Sequence, residues 1–463
     1  MSLSLRTAHP VLFATVMLAC GSGGATHGES GTTTSTTSST GNGGAGGLGG
    51  AGTTTTGSGA STSTGQGGQG GSLPVDPCAG QSDACPTVPV AGYSEGDGLR
   101  AVNRCAFPMK DQDHWAASDD LIARLAADLP PRTIGDVTAD LNRTADPITA
   151  AELPGSVASM KVGFGWQSGD ESVAYWIPQG ITGSGDAASS GAIGGKKLLL
   201  VSWYYDQAKD PGSTVEKGVR LALVDVTDPA SIHYRFLLLV APLTTNGHVT
   251  FQSVPIHAGG LAWYGNLLYV ADTTNGFRVF DTSRIFEVPV DQDLIGYQPG
   301  SGKYYAHTYK YILPQVDRYL QQSSCSPRFS FVSIDHSTDP PSLVSGEYDD
   351  ASIYGRLYRF ALDPSTHRIK GPFIHPEDAW HAGQSHVQGA LAHQGKFLLS
   401  SSKPAGAAGI LYRTSPDTAS KSFGWVDAPE DLSFDPSTGR LWCLSEGLGA
   451  RYVFATALTA YIP

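Results

Sequence analysis

Charge is scarce in this sequence. Asp, Glu, Lys and Arg make up 16% of its 463 residues, against about 25% in ordinary soluble proteins. The balance is 30 − 42 = −12, which argues against a compact basic nucleic-acid binder. No apolar run reaches the roughly 20 residues of a spanning helix, so no polytopic membrane protein is encoded. A sustained helical period is also missing, and 57 Gly with 29 Pro are too many for a mainly helical chain. The phosphate-cradling GxxxxGK[ST] is absent, no GxGxxG is suitably placed, and neither HExxH nor a CxxC pair marks a zinc site. Cysteine is limited to six residues.

The N-terminus reads as an export signal. Arg6 precedes a short apolar core at residues 11–19 (VLFATVMLA), which ends at Cys20. A basic start, a short apolar core and small residues describe a secretory signal. MLAC followed by Gly21 resembles a bacterial lipoprotein lipobox, and that resemblance implies that residues 1–20 are a signal with Cys20 as the lipidated residue. Residues 21–75 are almost entirely Gly, Ser, Thr and Ala, with Glu29 the sole charge. Such a tract cannot bury a core and is expected to act as a flexible tether. Cys78, Cys85, Cys105, Cys325 and Cys443 remain, and an oxidising compartment permits disulfides. Cys78 with Cys85 is the favoured local bridge, and Cys443, in LWCLS, is the expected buried free thiol.

Residues 76–159 have a mixed pattern. Ser118-Asp119-Asp120 before LIARLAADLP reads as a helix start, and TIGDVTADLN as a second short helix. We expect a small helical cap here. From residue 160 to 463 the pattern is strand-like, with short Val-, Leu-, Tyr- and Phe-rich runs between Gly, Asp, Asn and Pro. An irregular repeat runs through it. GLAWYGNLLYVADTTNGFRVFDT, ALAHQGKFLLSSSKPAGAAGILYRT and DLSFDPSTGRLWCLSEGLGARYVFA share one plan: strand, tight polar turn, strand, longer loop, strand. First strands begin near Gln179, His257, Phe329, Gln388 and Glu430. Repeated four-stranded units of this length describe an all-β fold, a β-propeller. Five blades are expected, with MKVGFGWQ from Met160 closing the last. Six follow if residues 290–322 form their own blade.

On this repeat plan the chain resembles secreted bacterial β-propellers, and five-bladed ones include glycan enzymes and small-sugar lectins. That resemblance implies a surface-tethered glycoside hydrolase or polysaccharide lyase. The alternative is a non-catalytic carbohydrate- or protein-binding propeller. The arabinanase-like enzymes carry an Asp on an early first strand, where this chain has Gln179 or His257.

In a propeller, the starts of first strands and the ends of second strands reach one face near the axis. Carboxylates and imidazoles converging there suit acid–base chemistry. The candidate catalytic residues are His257, Asp272, Glu347, His386, Glu430 and Glu446. Candidate substrate contacts are Gln179, Tyr204, Trp263, His307, Tyr309, Gln388 and Lys403. For a lyase, a His or Tyr pulls the proton beside a uronate carboxylate, and Lys403 or Arg356 neutralises that carboxylate. His375, His381 and His386 with Glu377 and Asp378 have a metal-like composition, and a divalent cation such as calcium is the one cofactor considered. The expected partner is a polysaccharide or oligosaccharide, with no nucleic acid, membrane contact only through the lipid, and a monomeric state.

Overall fold

The computed structural model describes residues 74–403 and 407–463. The signal, Cys20 and most of the Gly/Ser/Thr tract lie outside the described residues. No helix among the described residues is long and apolar enough to cross a membrane.

The fold is all-β, built of antiparallel runs of four strands. Trp176–Gly183, Leu198–Tyr205, Val219–Asp225 and His233–Thr245 form the first. Leu261–Tyr264, Leu267–Asp272, Gly276–Asp281 and Tyr311–Gln321 form the next. Phe331–Asp335, Ser342–Gly346, Arg356–Ala361 and Asp378–His381 follow. Val387–His393, Lys396–Ser401, Ile410–Ser415 and Thr418–Gly424 come after them. Pro429–Asp435, Arg440–Ser445 and Tyr452–Ala457 are completed by Met160–Gly165, which precedes every other run in the chain. The first strands of the runs neighbour one another in a closed cycle, the last returning to the first.

Local chemistry explains the repetition. Tyr264 pairs with Leu267 across a two-residue turn, and Gly265 takes its φ of +59°, a left-handed geometry that glycine adopts without steric cost. A second device is the sequence Asp-x-Ser. Asp281, Asp335, Asp363 and Asp435 each accept the backbone N–H of the serine two residues on, at 2.8–2.9 Å. Such Asx turns end strands with their polar groups satisfied.

Residues 290–322 do not form a run of four. Ile295–Gln298 and Lys303–Ala306 pair as an isolated hairpin, and Tyr311–Gln321 is the outer strand of the second run. That strand also pairs in parallel with His233–Thr245 through Leu238–Ile312 and its neighbours, joining two runs edge to edge.

The segment expected as a helical cap is mostly an edge strap. Arg100–Ala101, Met109–Asp111 and Arg143–Thr144 add short edge pairings to three different outer strands, Pro131–Arg132 pairs with the short strand Ile285–Glu287, and Asp146–Pro147 pairs with the closing strand Met160–Gly165. Its one long helix, Trp115–Asp128, begins three residues before Ser118 and buries Trp115, Ile122 and Leu125. Ile134–Thr138 is the second helix, opened by a capping box between Thr133 and Asp136. The bridge Cys78–Cys85 does not form. The disulfides are Cys78–Cys105 and Cys85–Cys325, because the strap brings distant segments together, and Cys443 is free and buried.

Candidate functional site

The site is built where first strands meet at the axis. Their backbones approach closely there: a Cβ on Gly260 would lie 2.1 Å from the Val332 nitrogen. The Asp431 side chain lies at this crowded level. Asp431 is fully buried, and its Oδ2 accepts N–H bonds from Ile181 at 3.2 Å and Leu261 at 3.0 Å, on two other runs. Its Oδ1 has no hydrogen-bond partner. Burial pushes this carboxyl well above the usual range, against the pull of its N–H donors.

One residue towards the mouth stands Glu430, 2% exposed. Gln388 donates to its Oε1 at 3.2 Å. Burial, then the negative charges of Glu446 and Asp431, raise its carboxyl well above the ordinary range. Glu446 follows the strand Arg440–Ser445 and is half-buried. Gln179 donates to its Oε2 at 2.6 Å. Burial raises this carboxyl too, opposed by the Gln179 bond and by the charges of Lys209 and Arg451. The two acids therefore differ: Glu446 is the one that cations and solvent reach.

Arg451 positions Glu446. Its guanidinium is buried and donates from Nε to the Glu446 carbonyl at 3.2 Å. Nη1 donates to the carbonyls of Asp170 at 3.2 Å and Val173 at 2.7 Å. The turn carrying Glu446 is thereby tied to the segment leaving the closing strand.

His257 lies across the same mouth, stacked on Tyr204 with ring centroids 4.4 Å apart. Its side chain keeps an open face to solvent, while crowding by protein, with the charges of Arg328 and Lys209, pushes its imidazole down to about 4. Lys209, paired with Asp206 at 3.1 Å, acts on both His257 and Glu446. A shallow recess lined by Tyr204, Tyr205, Asp206, Gln207 and Glu216 extends outward from the Tyr204 side. His386 has a φ of +59° and meets Tyr348 edge-on at 5.9 Å. The Tyr348 hydroxyl is raised by burial and by the charges of Asp350, Glu430 and Glu446.

The remaining candidates lie apart from this cluster. Asp272 is locked by Arg278 Nε at 2.9 Å and Asn275 at 2.9 Å. Glu347 accepts from the backbone of Arg328 (2.8 Å) and of Arg356 (3.0 Å), from Arg356 Nε (2.7 Å) and from Tyr358 (3.1 Å). Both close turns of their own sheets. Arg356 is thereby engaged and not offered to a substrate. Trp263 is fully buried and bonds Thr282, so it is core rather than a sugar platform. His307 is held between Asp293 at 2.8 Å and Ser253 at 3.3 Å. Tyr309 accepts from Arg220 at 3.3 Å, and Lys403 sits 3.7 Å from Glu95.

The histidines of HPEDAWHAGQSH do not converge on one point. His381 bonds the Tyr354 carbonyl at 2.9 Å, and Asp378 is taken by Arg359. His375 approaches Asp76 at 3.2 Å beside Cys78, but that sulfur is in a disulfide and is no thiolate ligand. Residues that sequence reasoning missed at the mouth are Tyr348, Arg328, Lys209 and Arg451. Strand alternation offered one signal: Glu347 and Tyr348 are neighbours, and it is the tyrosine that turns to the mouth.

The chain matches no family model and no curated protein. Solved structures similar to it include the GH43_1 enzyme from Xanthomonas citri complexed with xylose, at 11% identity over 73% of this chain and 92% of that one, TM-score 0.29. The Cps50 (Swd1) β-propeller domain of Myceliophteria thermophila is similar at 9% identity over 68% and 96%, TM-score 0.27. Pseudomonas fluorescens PhoX in complex with vanadate is similar at 9% over 68% and 97%, TM-score 0.31.

Proposed function

We propose that this is a five-bladed β-propeller enzyme acting on an extracellular glycan at the mouth of its central channel. The observation that carries this reading is the Glu430–Glu446 pair: two carboxyls of raised proton affinity, from one run, at an open mouth faced by a neutral imidazole. Paired groups whose environments push proton affinities in opposite directions are the usual material of acid–base catalysis.

In this reading Glu446 is the general acid and His257 the general base. For hydrolysis, His257 takes a proton from water, the oxygen attacks the anomeric carbon, and the glycosidic C–O bond breaks. Glu446 delivers its proton to the leaving oxygen, and solvent restores both groups. Glu430 lies beside the acid with its own proton affinity raised by burial and by the charge of Glu446, buried Gln179 holds Glu446 in place, and Tyr204 contacts the sugar. A lyase reading uses the same pair, with His257 taking the proton from the sugar carbon beside a carboxylate. It is favoured by the exposed Arg328 beside His257. The unlike side chains that the runs bring to the mouth argue against a repeated-site lectin.

The N-terminal sequence supports export and tethering through Cys20, and the two disulfides accord with an oxidising compartment. The protein is proposed to act as a monomer. The test is a screen of the purified protein on plant, algal and bacterial polysaccharides, reading reducing ends and the absorbance of unsaturated products. A parallel arm with chelator, then added calcium, tests for a divalent cation. Glycan cleavage that Glu446→Gln abolishes supports the proposal, and cleavage that survives it places the chemistry elsewhere.

A further inference from the structure

We propose that the mouth selects an anionic glycan, one bearing a carboxylate or sulfate group, and that Arg328 is the residue that recognises the anion. This rests on the glycan reading above and goes beyond it by naming the substrate's charge.

Gly259 packs so tightly on the next run that a Cβ there would lie 2.0 Å from the Ser330 carbonyl oxygen. His257 and Arg328 each stand two residues before this contact, at the same end of adjacent inner strands. The Arg328 backbone is fixed by its N–H bond to Glu347 at 2.8 Å, and Phe329 N–H bonds the Thr273 carbonyl at 2.8 Å. The base of the side chain is therefore rigidly held while the side chain itself is exposed.

The other cations around the inner strands are committed. Arg278 pairs with Asp272, Arg356 with Glu347, Lys209 with Asp206 and Lys403 with Glu95. Arg451 is spent on carbonyls. The Arg328 guanidinium makes no hydrogen bond or ion pair with any described residue. An exposed, uncompensated guanidinium with five donors matches a carboxylate or sulfate edge. Beside it, the stacked Tyr204–His257 pair supplies a flat surface for a sugar ring.

Binding isotherms of the full chain carrying Glu446→Gln, which silences turnover, test the proposal. The probes are an oligogalacturonate, a sulfated galactan oligomer and a neutral galactan oligomer of equal length. We expect at least one anionic probe to bind about tenfold or more tighter than the neutral one, and this margin to shrink with salt. Adding Arg328→Gln should reduce the margin to about twofold or less, with Arg328→Lys between, because lysine keeps the charge and loses the fork. Which anionic probe binds identifies carboxylate or sulfate as the source. A neutral probe that binds as well as the charged ones, or a margin that survives Arg328→Gln, overturns the proposal. Failure of every probe to bind overturns it together with the glycan reading. Arg328-dependent binding without Glu446-dependent turnover in the unmutated chain overturns only the catalytic reading. Arg328 is exposed, so unchanged melting of the variants shows that a lost margin is not lost fold.

Discussion

Glu446 and Glu347 are both acidic residues that follow the second strands of their runs, yet their surroundings assign them opposite duties. Glu446 keeps one strong partner, Gln179, and a half-open side chain. Glu347 is saturated by four donors and 6% exposed. Glu446→Gln should therefore lower turnover by about 10²–10⁴ while melting stays within a few degrees. Glu347→Ala should leave the largely buried Arg356 guanidinium without its carboxylate, holding only the Cys325 carbonyl, at a cost of about 2–3 kcal/mol, read as a fall in melting temperature. The pH profile follows from the same residues. His257 must be neutral, so rate should rise as pH passes about 4. Glu446 must hold its proton, so rate should fall on an alkaline limb lying above the ordinary carboxylate range. Profiles of kcat/KM for the protein and for Glu446→Asp check both limbs. For stability the sign is the reverse of the familiar paired carboxylate. Glu430 and Asp431 bind protons more tightly folded than unfolded. Their contribution is complete below about pH 4 and is lost as pH rises through their raised values. Asp431→Asn should flatten that decline in melting curves taken from pH 4 upward.

At the scale of strands and turns, much was legible in the sequence. Gly265 with Asn266, and the serine two places after Asp335 or Asp435, marked turns because those residues carry the required backbone or side-chain chemistry. The strand at Met160 was legible because the last repeat lacked a partner for Tyr452–Ala457. A chain beginning at Ser168 lacks that strand, so it should fail to give a soluble, cooperatively melting product, whereas a soluble fragment with a sharp transition would place the closure elsewhere. The strap was not legible. Two-residue edge pairings such as Arg100–Ala101 with Trp380–His381 are shorter than any periodicity can register. Its cystines were hidden for the same reason, since Cys85 and Cys325 are 240 residues apart. Reduction should lower the melting temperature by the equivalent of about 2–5 kcal/mol, because this bridge closes a long loop in the unfolded chain.

For the whole molecule, the all-β class and the meeting of first strands at one axis followed from repeats alone. The identity of the mouth residues followed only in part. Gln179 bonds Glu446 and Gln388 bonds Glu430, pairs that were legible because Gln179, Gln388 and Glu430 stand at the starts of first strands and Glu446 at the end of a second strand. Arg328 and Lys209 escaped because loops of different length deliver them. The proposed tether belongs to this scale as well. Cys20→Ser should move the protein from the membrane fraction to the soluble fraction with its melting curve unchanged, and retention of the variant in membranes would argue against an acyl anchor.

The crowding of Gly260 against its neighbour and the single carboxylate of Asp431 have a consequence for traffic. The Asp431 side chain bridging two other runs narrows the axis one residue below the mouth, which opposes the threading of a polymer from face to face. A chain that enters is favoured to leave by the same opening. On the glycan reading proposed above, an enzyme narrowed there would release a short fragment, let the remainder back out, and take a fresh hold before the next cut. Its early products should be small and nearly uniform in size, while the parent polymer shortens only slowly.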